Sequence, residues 1–204
     1  RIKKTKIENV GDYLYSGLFY CLVPEIVEKV TLKKFEIFLN EEIYSKFNVN
    51  LLFNPANKYP LNKIVPSEID KTFRNQLIHG YVHDQGAGLL GGVGGHAGLF
   101  SNANDLAVIM QMYLNKGTYG GDTILSSDII EKYTSSPYYN SNKNRRGIAF
   151  DKPVRDGAGG PTCFECVSFD SFGHSGFTGN LTWADPESGI LYVFLSNRVY
   201  PDAE

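Results

Sequence analysis

The sequence predicts an α+β protein, an antiparallel sheet flanked by helices in an α/β sandwich, on three observations. The first and middle parts carry apolar residues at helical spacing, and the last quarter changes to short β-rich runs separated by turn residues. No strand–helix–strand alternation joins the two regions, which argues against a doubly wound parallel sheet. The 204 residues suffice for one domain with a substantial core. A composition of 42% hydrophobic and 21% charged residues is that of a folded chain, not a disordered one.

Leu18, Leu22, Ile26 and Val30 form an i, i+4 stripe with Phe19, Val23 and Val27 beside it. This predicts a helix buried on one face and disturbed near Pro24. Thr31 has the residue type of an N-cap for a second helix, whose inner face carries Phe35, Phe38, Leu39 and Ile43. Residues 48–100 are punctuated by Asn, Pro and Gly and predict a long loop region. Gly86, Gly88, Gly91, Gly92, Gly94, Gly95 and Gly98 crowd one part of it. Ser101 is expected to cap a helix through Leu106, Ile109, Met110 and Tyr113 that stops before Gly117. A short helix follows from about Ser126 to Tyr133. Cys163–Phe169, Phe172–Thr178, Leu181–Ala184 and Ile190–Ser196 read as strands, with Asp185-Pro-Glu-Ser-Gly189 a reverse turn.

Several chemistries lose support on pattern. The net charge of −2 names no partner, and the basic run Arg1, Lys3, Lys4, Lys6 lacks an aromatic-interleaved face, so no nucleic-acid partner is expected. No apolar run approaches the roughly 18–20 residues that span a bilayer. No cofactor is expected. Gly92-Val-Gly94-Gly-His-Ala97 matches G-x-G-x-x-A, but no full strand precedes it and the next helix begins too late for a dinucleotide site. Cys163 and Cys166 form a CxxC without the second ligand pair of a structural zinc site. His79 and His83 are four apart with His96 nearby, yet Gly80 intervenes and the H-E-x-x-H pattern is absent; a metal-dependent hydrolase is the weaker rival reading. In Gly173-His174-Ser175-Gly176-Phe177, Phe177 replaces the last glycine of G-x-S-x-G, which disfavours Ser175 as an elbow nucleophile. Small residues in an aromatic run still mark a place of close approach.

Taken together, the motifs resemble the serine β-lactamase and penicillin-binding-protein superfamily, in its class C-like branch of β-lactamases, esterases and D-amino-acid peptidases. Tyr15-Ser16-Gly17 is similar to the family's Y-x-N element. Gly94-Gly-His-Ala-Gly-Leu-Phe-Ser101 is similar to its G-H-A-G-L-x-S segment, and His174-Ser175-Gly176 to the K-T-G triad in its H-[ST]-G form. Val82-His83-Asp84, Trp183-Ala-Asp-Pro-Glu and Ser196-Asn197-Arg198 fit the same branch, so the likeness runs from about Tyr13 to Pro201.

The resemblance implies an acyl-enzyme mechanism, in which an activated serine attacks an acyl carbonyl and water releases the product. Tyr15 matches the proton-relay tyrosine, which needs cations beside it; protonated His174 would be one. His174, Ser175 and Gly176 match the substrate-binding strand, and the Phe177 N–H its oxyanion donor. The implied partner is a small-molecule or peptide acyl substrate, and the implied compartment is bacterial periplasmic or exported. Two departures stand out. No Ser has Lys three positions later, so the S-x-x-K nucleophile segment is expected upstream, and residues 1–204 are read as a single incomplete domain, inactive alone. Gly17 also replaces the Asn or Asp that usually ends the tyrosine motif, which lends some weight to a non-catalytic peptidoglycan- or glycan-binding module. Removing the N-terminal strands should leave an open sheet edge beside Ile190–Ser196, available to the missing segment or to self-association.

Overall fold

The computed structural model describes residues 4–6, 11–154 and 166–203. Its helices are α1 (Val23–Thr31), α2 (Phe35–Leu39), α3 (Ser45–Phe47), α4 (Gln85–Leu89), α5 (Ala103–Leu114), α6 (Ser127–Thr134) and α7 (Tyr139–Asn142). Its strands are β1 (Leu52–Phe53), β2 (Pro66–Asp70), β3 (Gln76–His79), β4 (Leu99–Phe100), β5 (Thr118–Tyr119), β6 (Asp122–Thr123), β7 (Phe172–Ser175), β8 (Leu181–Asp185) and β9 (Ile190–Phe194). The mixed helix and strand content is that of an α+β fold. The backbone divides into two compact units. The first holds Arg1–Leu18, Met110–His174 and Trp183–Leu191; the second holds Phe19–Ile109, Ser175–Thr182 and Tyr192–Glu204.

The principal sheet has the order β7-β8-β9. Two hairpins make it an antiparallel meander. The Gly176 N–H bonds the Asn180 carbonyl at 2.7 Å, and the Gly189 N–H bonds the Asp185 carbonyl at 2.9 Å with Gly189 at φ +71. The predicted reverse turn at Asp185–Gly189 is therefore present. In the first unit, Met110, Tyr113 and Leu114 of α5 pack on Phe172, Ala184 and Leu191 of the three strands. Phe172, Tyr113 and Phe150 form an edge-to-face trio, with Phe150 5.2 Å from Phe172 and 5.1 Å from Tyr113 between ring centroids. Edge-to-face rings set their mutual angles as well as burying area, so this trio fixes how β7 lies on the helix. Burial pushes the Tyr113 hydroxyl above the usual tyrosine range. Trp183, the sole tryptophan, is buried on β8, and its indole nitrogen has no hydrogen-bond partner among the described residues.

The helix termini depart from expectation in instructive ways. The first helix begins at Val23, not Leu18, after a 3-10 turn at Tyr20–Leu22. Pro24 sits in its first turn, where the missing N–H costs nothing, so the proline starts the helix instead of disturbing it. No residue of α1 is buried, and Ile26 and Val30 are exposed, which corrects the one-face burial the stripe suggested. Thr31 ends α1 instead of capping α2. Its hydroxyl bonds back to the Val27 carbonyl at 2.8 Å, and Leu32 follows in the left-handed region at φ 57. α2 continues through a π-turn at Asn40–Tyr44 into α3, with Phe35 and Phe47 buried. At α5 the cap is Asn102, whose side-chain oxygen accepts from the Asp105 N–H at 3.0 Å; the Ser101 hydroxyl instead bonds the Asn50 carbonyl. α5 does stop before Gly117, which lies at φ +96 with its N–H on the Met112 carbonyl. A Cβ there would lie 2.0 Å from the Leu125 oxygen.

The stretch 48–100, expected as loop, contains structure in the second unit. β1 pairs with β4, and β2 with β3, in an antiparallel hairpin carrying a bulge between Pro66 and Glu68. Asp70 organises the hairpin turn: its carboxylate accepts from the N–H groups of Thr72, Phe73 and Arg74 at 2.9–3.0 Å and from the Arg74 guanidinium at 3.1 Å. The Phe73 N–H and these companions hold the Asp70 carboxyl well below the usual carboxylate range. Cys163 lies outside the described residues. Residues 166–171 form turns and not the strand predicted over Cys163–Phe169, because Ser168 is held by the Asp185 carboxylate through its N–H at 3.0 Å and its hydroxyl at 2.5 Å.

Candidate functional site

The first unit brings Tyr15 and His174 together. Their ring centroids are 6.4 Å apart and tilted by 30°. Tyr15 is 63% exposed and lies in the irregular segment that follows Tyr13. His174 is on β7, two residues from Phe172 and so on the same face of the strand. The side chain that joins Tyr15 and His174 is Arg146, which sequence reasoning did not single out. Its guanidinium carbon lies 4.7 Å from the Tyr15 ring centroid, and its Nη1 is 3.2 Å from His174 Nε2.

Arg146 reaches that position through a chain of local causes. Asp151 and Gly173 form a two-way backbone bridge, 2.7 Å and 3.2 Å long, that fixes Asp151 beside β7. The Asp151 carboxylate, 2% exposed, then binds Arg145 at 2.8 Å and Arg146 at 3.2 Å. Gly147 makes this turn possible, since a Cβ there would lie 2.4 Å from the Tyr133 carbonyl oxygen. Two arginines share one carboxylate, so the cluster carries an excess positive charge next to Tyr15. Tyr13, nearby, has its hydroxyl pushed up by burial, with Arg146 and Arg145 acting in the opposite direction. The signal available in the sequence was the pair Arg145-Arg146 before Gly147, with an acid at Asp151.

In the second unit, β7 ends at Ser175, so Gly176 and Phe177 belong to the following turn and not to the strand. Gly179, at φ +97, completes that turn. A Cβ on Gly179 would lie 2.2 Å from the Ser196 hydroxyl, whereas one on Gly176 would meet nothing closer than 3.7 Å. The exposed Phe177 ring is held by two neighbours: His83 stacks on it at 5.4 Å and 24°, and the Arg198 guanidinium lies 5.0 Å from its centroid. His83 is oriented in turn by the Glu68 carboxylate at 2.7 Å.

The remaining histidines go to separate partners. His79 Nε2 bonds the Ile64 carbonyl at 2.6 Å, and His96 Nε2 bonds Asp84 at 2.9 Å while its Nδ1 lies 3.5 Å from the Cys21 sulfur. Burial would raise the Asp84 carboxyl, but the Ala87 N–H and His96 outweigh it and hold it below its ordinary value. Among the described residues, no three His, Cys, Asp or Glu side chains gather to hold a metal, so the triad His79, His83, His96 is not assembled. The glycine-rich loop is a place where backbones meet: a Cβ on Gly95 would lie 2.4 Å from the Tyr20 carbonyl oxygen.

This arrangement is that of a β-lactamase-like fold. Residues 11–204 match the Beta-lactamase family model, and the chain belongs to that family. A protein of Escherichia coli O157:H7, provisionally named a D-alanyl-D-alanine carboxypeptidase, is 34% identical over 215 aligned positions, covering 97% of this chain and 48% of that protein. One of Salmonella typhi with the same provisional name is 31% identical with the same coverage. The chain thus spans about half the length of the curated relatives it matches. Among solved structures, a penicillin-binding-protein homologue from Caulobacter crescentus aligns with a TM-score of 0.58 at 20% identity, over 88% of this chain and 51% of that one. A β-lactamase from Mycobacterium bovis aligns with a TM-score of 0.60 at 17% identity, over 92% of this chain and 57% of that one. No helix among the described residues is long and apolar enough to cross a membrane.

Proposed function

We propose that the chain supplies the proton-relay and substrate-strand portion of a serine acyl hydrolase that acts on peptides ending in D-alanine, through an acyl-enzyme. The observation that carries this reading is the meeting of Tyr15, the Arg145–Arg146–Asp151 cluster and His174 of β7. In the proposed mechanism, an upstream S-x-x-K segment supplies the nucleophile and its lysine. Tyr15 passes the serine proton to the leaving amine. The family motif assigns His174 and Ser175 to the carboxylate or acyl portion of the substrate and the Phe177 N–H to the oxygen that gains charge. The relatives' provisional name favours the D-alanyl substrate over a β-lactam or simple ester. The family context makes the periplasm or the cell exterior the proposed compartment.

The test has two arms. This chain, incubated with a D-alanyl-D-alanine peptide, a chromogenic β-lactam or a nitrophenyl ester, is expected to show no saturable turnover. The same chain with its upstream S-x-x-K segment in frame is expected to release D-alanine, and Tyr15→Phe should lower kcat by roughly 10²–10⁴-fold. Saturable turnover by this chain alone, abolished by Tyr15→Phe, would overturn the proposal. Binding of the peptide without turnover by the longer protein would favour the non-catalytic module that Gly17 suggests.

A further inference from the structure

We propose that Arg198 is a carboxylate anchor, a specificity-determining residue that selects acyl substrates bearing a free carboxylate. The inference rests on the reading of the Phe177 N–H as donor to the oxygen that gains charge.

Arg198 differs from the other described arginines in what it faces. Arg74 meets Asp70 at 3.1 Å, and Arg145 and Arg146 meet Asp151 at 2.8 and 3.2 Å. The Arg198 guanidinium meets an aromatic ring instead, 5.0 Å from the centroid of Phe177. Among the described residues, no carboxylate or carbonyl accepts from it. The Glu68 carboxylate, which His83 brings toward the same ring, is bonded to His83 Nε2 at 2.7 Å. Arg198 and Phe177 are both exposed, so an anion from solvent can reach the cation.

The second unit builds this position from its backbone upward. The Arg198 N–H bonds the Thr178 carbonyl at 3.2 Å, the Ser196 N–H bonds the Asn180 side-chain oxygen at 3.1 Å, and the Ser196 hydroxyl bonds the Gly179 carbonyl at 2.8 Å. These three bonds lay residues 196–198 along the turn that carries Phe177. Gly179 leaves room for the arginine stem, since a Cβ there would lie 2.9 Å from the Arg198 Cγ and 3.0 Å from its Cβ. The stem rests on the turn and the head on the ring, so part of the ordering that anion binding requires is already in place. A guanidinium carries five donors in a planar fork that matches the two oxygens of a carboxylate. Phe177 thus serves both ends of the substrate: its N–H is the donor to the carbonyl oxygen, and its ring seats the cation for the carboxylate. In a D-alanyl peptide these two groups are separated only by the amide nitrogen and an α-carbon. A simple ester lacks the second group.

The experiment is an NMR titration of the ¹⁵N-labelled chain with an acetylated D-alanyl-D-alanine peptide and with the same peptide capped as its C-terminal amide. The signals read are the Arg198 Nε–H and the Phe177 amide. Both should move saturably with the free acid, and the amide should bind roughly tenfold or more weakly. Arg198→Ala should remove that difference, and Arg198→Lys, which keeps the charge without the fork, should keep part of it. The amide cap alters the peptide alone, so it tests the anchor without disturbing the fold. Equal binding of acid and amide, or no response of Arg198 to the acid, would overturn the inference. So would an Arg198→Ala chain that still prefers the acid. Acetate or inorganic phosphate acting at the same concentrations as the peptide would also overturn it, by making Arg198 a general anion seat. In the protein carrying its upstream S-x-x-K segment, preference for the acid without D-alanine release would sink the hydrolase proposal alone. Hydrolysis of acid and amide at equal kcat/KM would sink this inference alone.

Discussion

Replacing Phe172 with alanine should reveal how much of the first unit rests on one ring. Phe172 is 2% exposed and meets Phe150 and Tyr113 edge to face, at 5.2 and 6.3 Å. Burying a phenyl group of this kind contributes about 1.5–3 kcal/mol by area removed from water. Each edge-to-face partner adds about 0.5–1.5 kcal/mol. The rigid surroundings, with Met110 and Ala184 in the same cluster, close only partly over the gap, so Phe172→Ala should cost about 3–5 kcal/mol. That is a large share of the stability of an ordinary domain, about 5–15 kcal/mol, so Phe172→Leu is the companion variant, expected to cost about 1 kcal/mol. Urea denaturation followed by circular dichroism and tyrosine absorbance measures both. A second readout is local: the Tyr113 hydroxyl, raised by burial, should move back toward its ordinary value of about 10 when water reaches the gap. A loss below about 1 kcal/mol for Phe172→Ala, with Tyr113 still raised, would show that the trio does not organise this unit.

Two further outcomes follow from other regions. Asp70 has its carboxyl depressed by the Phe73 N–H and neighbouring donors, so its contribution to stability is fully present above its unfolded pKa of about 3.9 and is lost as pH falls through the folded value. Asp70→Asn should therefore be less stable than wild type at pH 7, and the difference should shrink below about pH 4; a difference independent of pH would refute the role. β9 lies at an end of the β7-β8-β9 order, with Ile190, Tyr192 and Phe194 65%, 54% and 50% exposed. The chain should self-associate in sedimentation experiments, and Ile190→Lys with Tyr192→Lys should shift it toward monomer; a wild-type monomer at the same concentration would argue against an open edge.

What the sequence made legible was local. The end of α5 at Gly117, the α6 helix and the Asp185–Gly189 turn follow from residues that are neighbours along the chain. Thr31 and Ser101 have the right residue type for caps, but an adjacent residue decides the matter in each case, Leu32 by its left-handed backbone and Asn102 by its side-chain oxygen. The β2–β3 hairpin was hidden because its turn depends on Asp70 gathering N–H groups, a role that hydrophobic periodicity does not register. At the site, Tyr15 and His174 could be named from motifs. Arg146 could not, because its place depends on the pairing of Asp151 with Gly173, which are distant in sequence.

The Asp151–Gly173 bridge also bears on folding fidelity. Strand side chains alternate between faces, so a slip of β7 by one residue would send Phe172 and His174 to the opposite face together. An apolar cluster of the first unit and the Arg146–His174 hydrogen bond are thus set by a single register. A misregistered molecule would lose its aromatic core along with its chemistry, and would unfold instead of persisting as a stable, subtly wrong protein. Quality control of the site is in that sense delegated to the packing beneath it.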